Sequence, residues 1–152
     1  MHILFVCSGN TCRSPMAEAL FRKQLMAKQR IPAGINLEAR SAGLYAGTGL
    51  AASHEAVKVM AEMGIDLSRH RSQPLRQELL LWADVVLTMT DSHSQQILHQ
   101  YEVPVEKLYT LAEYSGAERV DIVDPYGAGI TAYRRSARQL RKMINDMLKK
   151  FC

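Results

Sequence analysis

The sequence predicts an α/β fold: one three-layer sandwich in which a parallel sheet is covered on both faces by helices. Three observations lead there. Short apolar runs alternate along the chain with helical patterns, which implies βαβ units. The first run, residues 2–7, is continuously apolar from Ile3 onward, as a strand buried on both faces must be. No internal repeat, low-complexity stretch or linker divides the chain. Its 152 residues suffice for a single domain, 1–152, with a substantial core.

The elements follow in order. After the first strand, Pro15 suits the first turn of a helix because its missing N–H has no partner there. Met16, Ala19, Leu20, Lys23 and Ala27 keep helical spacing, and Pro32 and Gly34 end the pattern. Leu37 to Ser41 alternates as a second strand, closed by Ala42-Gly43, and Gly47 and Gly49 mark a loop. Ser53 is an N-cap for a helix that runs to Gly64 with Ala56, Val57, Met60 and Ala61 on one face. Pro74 opens a short helix through Leu81. Asp84 to Met89 is the third strand. Asp91 or Ser92 caps the next helix, to about Gln100, and Val105 to Thr110 is the fourth strand. Tyr133 to Phe151 is a long amphipathic helix with Ala137, Leu140, Ile144, Met147 and Leu148 on its apolar face.

Composition narrows the function classes. Hydrophobic residues make up 47% and the net charge is +4, a mild excess that suits anionic substrates or simply aids solubility. Nucleic-acid binding is disfavoured because no basic run is interleaved with aromatics. The densest basic stretch, Arg134-Arg135 with Arg138, Arg141 and Lys142, reads as a solvated helix face. No export signal and no membrane-spanning stretch is expected. Three cysteines, Cys7, Cys12 and Cys152, cannot all pair, so a disulfide framework is excluded and a reducing cytoplasm is expected.

The chemistry gathers where the first strand ends. Cys7 and Arg13 bracket Ser8-Gly9-Asn10-Thr11-Cys12, and Ser14-Pro15 opens the helix. In open α/β sheets ligands bind at the carboxyl ends of strands, which is where Cys7 falls. A short turn here can aim successive N–H groups inward as a nest for a tetrahedral anion. Gly9 permits a positive φ, and Asn10 tolerates one better than most. The helix N-terminus adds its positive dipole end, and Arg13 offers a planar fork to two phosphoryl oxygens. The same groups favour a thiolate, so the Cys7 pKa is expected to be lowered, with Ser14 donating to the sulfur. The bland alternative, a buried cysteine and a surface arginine, fits the flanking pattern poorly. A leaving group needs an acid, and Asp124 in Val123-Asp124-Pro125-Tyr126-Gly127 is held extended by Pro125 in a loop closed by Gly127. Asp121 is the less constrained alternative. Leu44 and Tyr45 are expected near the pocket walls.

Val6 to Glu18 resembles the signature of the low-molecular-weight protein tyrosine phosphatase family. Asp124-Pro125-Tyr126 resembles its acid loop, and Ser41-Ala42-Gly43 and Ala83 to Met89 resemble further segments, in order over nearly the whole chain. The resemblance implies a four-stranded parallel sheet flanked by helices, the low-molecular-weight phosphatase fold. It implies that Cys7 forms a phosphocysteine and that Arg13 and the loop amides hold the phosphoryl oxygens. Asp124 then acts as acid and base. Ser8, Gly9, Asn10, Thr11, Cys12, Ser14 and Tyr126 are carried over as substrate- and phosphate-binding residues. No metal or other cofactor is implied; the five histidines form no ligand-spaced pair, and His93 and His99 read as helix-surface residues.

Two departures bear on the substrate. Position 11, bulky and aliphatic in many members, is Thr11, and Tyr126 is followed by Gly127 where tyrosine-directed members often have a second aromatic. Thr at this position resembles the protein arginine phosphatase branch, where the aromatic can also be Phe. The implied partners are proteins carrying phosphoarginine, with phosphotyrosine as the alternative, acted on by a monomer. Arsenate reduction is disfavoured because no cysteine lies between Cys12 and Cys152, and a non-catalytic phosphate reader because Cys7 and Asp124 are both kept. Cys12 reads either as a small residue under the loop or as a reversible disulfide partner for Cys7.

Overall fold

The structure is a computed structural model that describes residues 1–27, 32–118 and 120–151. Four strands, β1 (His2–Cys7), β2 (Glu38–Gly43), β3 (Val85–Thr88) and β4 (Leu108–Thr110), form one parallel sheet in the order β2-β1-β3-β4. The central strand β1 pairs Phe5 with Ser41 on one side and with Leu87 on the other. Its side chains alternate between two cores, which explains the uninterrupted apolar run. Ile3, Phe5 and Cys7 enter one core; Leu4 and Val6 enter the other. The first core is closed by Met16, Leu20 and Phe21 of α1 (Arg13–Ala27), Ala56 and Met60 of α2 (His54–Glu62), and Leu140, Ile144 and Met147 of α6 (Ile130–Leu148). The second is closed by Leu79 and Leu80 of α3 (Gln77–Trp82) and Ile97 of α4 (Asp91–Gln100). Each such buried aliphatic side chain contributes about 1.5–3 kcal/mol.

The three-layer arrangement and all four strands are as expected; several details differ. In α1 the buried stripe is Met16, Ala17, Leu20 and Phe21, whereas Lys23 and Ala27 are exposed, because Phe21 packs at 5.8 Å against Phe5 and turns that face to the sheet. The expected stop at Pro32 and Gly34 adjoins residues 28–31, outside the described residues, and Cys152 also lies outside them. In α2, Val59 is buried in place of Ala61.

Pro74 opens no helix. It bridges to Gly43, with Leu75 N–H donating to the Gly43 carbonyl at 2.8 Å, so residues 73–75 extend β2's edge before α3 begins. Thr90, not Asp91 or Ser92, caps α4 by accepting from His93 N–H at 3.2 Å. Val105–Lys107 form one turn of 3₁₀ helix, leaving β4 only three residues. The short helix α5 (Leu111–Ser115) was not expected; five residues carry too little periodicity. The last helix starts at Ile130, after Gly129 at φ 89°.

No helix among the described residues is long and apolar enough to cross a membrane.

Candidate active site

The chain reverses its direction of sheet growth at β1: β2 lies on one side and β3 on the other. The crevice at that switch point holds Cys7, the last residue of β1, and Arg13, the first of α1. Between them the loop 8–12 turns on Asn10, at φ 56° the one described non-glycine residue in the left-handed region. Gly9, expected to share that role, does not have a positive φ. Asn10 tolerates the conformation because its whole amide is tied down. Its Nδ2 donates to Ser14 Oγ at 2.9 Å and to Ser41 Oγ at 3.0 Å, and its Oδ1 accepts from Gln73 N–H at 2.9 Å. Its carbonyl accepts from His70 Nε2 at 2.7 Å. Gly43 supports the same loop from below. A Cβ there would lie 2.6 Å from the Ser8 carbonyl oxygen and 2.9 Å from the Asn10 nitrogen, so only glycine lets β2 approach this closely.

Cys7 Sγ lies 2.9 Å from Ser14 Oγ and accepts from Asn10 N–H at 3.3 Å. Ser14 Oγ accepts from Asn10 Nδ2, and its own hydrogen faces the sulfur at 2.9 Å, with the Ala42 carbonyl a longer partner at 3.5 Å. Burial pushes the Cys7 thiol up, against the opposing pull of the Ser14 hydroxyl, the Ser14 and Asn10 amides and the Arg13 charge. The direction is thus opposite to the expected lowering, because desolvation by burial outweighs the donors. Arg13 is buried, not on a helix surface. Its Nη1 donates to the Ile122 carbonyl at 2.8 Å, and its Nη2 lies 3.6 Å from Asp124 Oδ2.

Cys7, Ser8, Gly9, Thr11, Cys12, Arg13, Asp124 and Tyr126 line one cavity of about 340 Å³, with Tyr45, Gly47 and Leu50 at its walls. A larger cavity, about 800 Å³, lies between α1 and the segment 64–73. It meets the cradle only through supporting residues such as His70, Ser41 and Gln73, so Cys7, Arg13 and Asp124 share the smaller one. A model of the low molecular weight phosphotyrosine protein phosphatase family matches residues 2–152. This chain belongs to that family.

The phosphatase is 41% identical over 149 residues to the protein-arginine-phosphatase of Bacillus subtilis (strain 168), a match covering 98% of this chain and 95% of that protein. Among solved structures it is similar to the low molecular weight protein tyrosine phosphatase of T. tengcongensis, with TM-score 0.89, 44% identity and 99% of each chain covered. It is also similar to a mutant of the YwlE arginine phosphatase with a phosphorylated active-site serine, with TM-score 0.91, 39% identity, and 99% and 95% covered.

Two expected site residues of the phosphatase, Asn10 and Ser14, lie beneath the cradle and hold its shape. Of the two expected wall residues, Tyr45 lines the cavity. Leu44 instead packs against the second core, its N–H bonded to the Cys7 carbonyl. Asp121, the alternative acid, accepts from Asp91 N–H at 2.9 Å and is occupied at the start of α4. Cys7 and Cys12 are both free thiols; Cys12 Sγ contacts Tyr133 OH at 3.1 Å and Ser53 Oγ at 3.5 Å.

Two histidines change their standing. His99 is exposed, but His93 is only 4% exposed, with Nε2 2.9 Å from Ser8 Oγ, because β3 delivers the first turn of α4 beside the cradle. Sequence reasoning missed His70 altogether. It sits in an irregular segment with no periodicity, and only the fold brings it to Asn10.

Proposed function

We propose that this phosphatase hydrolyses phosphoarginine in proteins, through a phosphocysteine on Cys7. The observation that carries the reading is the convergence of Cys7, Arg13 and Asp124 on one cavity floored by loop 8–12. A phosphoryl group entering the cradle takes the Arg13 fork, now shared with Asp124, and that frees the carboxyl group for the leaving atom. Cys7 Sγ attacks phosphorus in line as the bond to the leaving nitrogen breaks. The proton lost by the thiol ends on that nitrogen, with Asp124 as its carrier. Asp124 next takes a proton from water, which attacks the phosphocysteine; phosphate leaves and the proton returns to sulfur. Donors fixed beforehand by the Asn10 network hold the equatorial oxygens without reorganising.

Thr11 supports arginine over tyrosine. It lines the cavity, and its hydroxyl has one neighbour, Cys12 Sγ at 3.8 Å, so it stays available to a polar guanidinium. A phenyl ring would leave that hydroxyl unpaired. The names of two relatives support the same substrate. One observation favours phosphotyrosine: Tyr45, Leu50 and Tyr126 give the cavity aromatic and aliphatic walls that suit an aryl ring. We propose further that residues 1–152 act as one domain, as a monomer, in the cytoplasm, where Cys7 and Cys12 stay reduced.

The test is Cys7→Ser. Turnover of phosphoarginine proteins and of a chromogenic aryl phosphate should vanish while inorganic phosphate still binds. Activity at the parent's level would overturn the mechanism. In the parent, kcat/KM higher on phosphotyrosine than on phosphoarginine proteins would overturn the substrate.

A further inference from the structure

Ser8 follows the nucleophile directly, and its hydroxyl meets a buried histidine 85 positions away. The protonation of that histidine decides what Ser8 can do. Burial, and then the Arg13 charge, lower the His93 pKa to about 4, against the raising pull of Asp121 and Asp124, so the ring is neutral near pH 7. A neutral imidazole carries one N–H. Nε2 faces Ser8 Oγ, and Nδ1 is buried with no partner among the described residues. If the hydrogen sat on Nδ1, a buried donor would be orphaned; on Nε2, only an acceptor lone pair is. Orphaned buried N–H groups are the rarer and costlier of the two. The hydrogen therefore belongs on Nε2, donated to Ser8 Oγ. The ring is only 4% exposed, and the backbone that carries it is anchored by the His93 main-chain N–H donating to Thr90 Oγ1 at 3.2 Å.

This tautomer leaves the Ser8 hydroxyl hydrogen unspent, on a residue that lines the catalytic cavity. The Ser8 carbonyl is engaged elsewhere, by Tyr45 N–H at 2.9 Å. We propose that the Ser8 side chain is a further hydrogen-bond donor to the phosphoryl group over Cys7, and that His93 is the positioning residue that aims it. His93 touches no substrate and acts only through Ser8. The proposal rests on the phosphatase reading of the cradle and is independent of the choice between arginine and tyrosine.

The experiment is a double-mutant cycle on a chromogenic aryl phosphate, with Ser8→Ala, His93→Phe and the pair, and with thermal unfolding followed for each. A hydrogen bond to a charged group corresponds to about a tenfold change. Each single variant should lower kcat/KM about tenfold, and the pair should lose no more than either alone. His93→Asn, which restores a side-chain N–H near Ser8, should recover part of the loss. Multiplying effects in the pair would show that His93 acts independently of Ser8 and would overturn the proposal. So would a Ser8→Ala variant with parental kcat/KM. Failure of the phosphatase reading looks different: Cys7→Ser would then stay active on the same substrate. If His93→Phe does not fold, Ser8→Ala and His93→Asn still decide the matter. Loss in the first with partial retention in the second supports the proposal, and equal retention in both overturns it.

Discussion

Asn10 holds a left-handed conformation at φ 56°, which costs a non-glycine residue on the order of 1–2 kcal/mol. Three side-chain hydrogen bonds offset that cost and fix the amides of the cradle. The local sequence made Cys7, Arg13 and the Asn10 turn legible, because a strand end, a turn and a helix start lie within a few residues. His70, His93 and the close approach of Gly43 were not legible, since each meets the loop only through tertiary contact. Gly43 gives a sharp prediction. In Gly43→Ala the new methyl group meets backbone at 2.6 and 2.9 Å, so the loop must shift. A misplacement of that kind should lower kcat at least tenfold with Tm falling by several degrees; kcat within twofold of the parent would show that the contact is slack. Thr11→Ile tests specificity at the same scale. It should move the kcat/KM ratio about tenfold toward phosphotyrosine over phosphoarginine peptides, and an unchanged ratio would remove Thr11 from substrate choice.

Among the elements, α4 has a second duty beyond covering the sheet: its first turn carries His93 into the site. A pH dependence of stability follows. The folded protein resists protonating His93 down to about pH 4, whereas the unfolded chain takes up that proton near 6.5. Between these values the unfolded state binds more protons, so stability is full above pH 6.5 and declines as the pH falls toward 4. The loss from this residue is of order 2–3 kcal/mol. His70, whose pKa burial also lowers, adds in the same direction. Urea unfolding at pH 7 and pH 4.5 should show a smaller difference in His93→Gln than in the parent; an equal difference would place the titration elsewhere. Strands and long helices were legible at this scale because burial on one or two faces writes its period into the sequence. The extended segment at Pro74 and the short α5 were not. The first is set by pairing with Gly43, and the second by a Thr110 cap and a Gly116 stop around five residues.

For the whole molecule, the sheet order places Cys7 and Arg13 at the switch point, and the cavity there also takes in Asp124, more than a hundred positions further along the chain. That long-range meeting is held by Arg13, which bonds the Ile122 carbonyl and faces the Asp124 carboxylate at 3.6 Å. The pair has a consequence for turnover. Asp124 Oδ2 faces Arg13 Nη2, part of the fork that a product phosphate would engage, so the carboxylate is expected to compete with inorganic phosphate for the guanidinium. The expected competitor is one tethered to the chain. Asp124→Asn should bind inorganic phosphate about two- to fivefold more tightly, the scale of a half-exposed ion pair, while kcat falls by about 10²–10⁴ with the acid removed. Calorimetric titration with phosphate reads the first; an affinity equal to or weaker than the parent's would mean the carboxylate never contests that position. A site contested in this way is expected to resist inhibition as phosphate accumulates, and Asp124→Asn to lose that resistance.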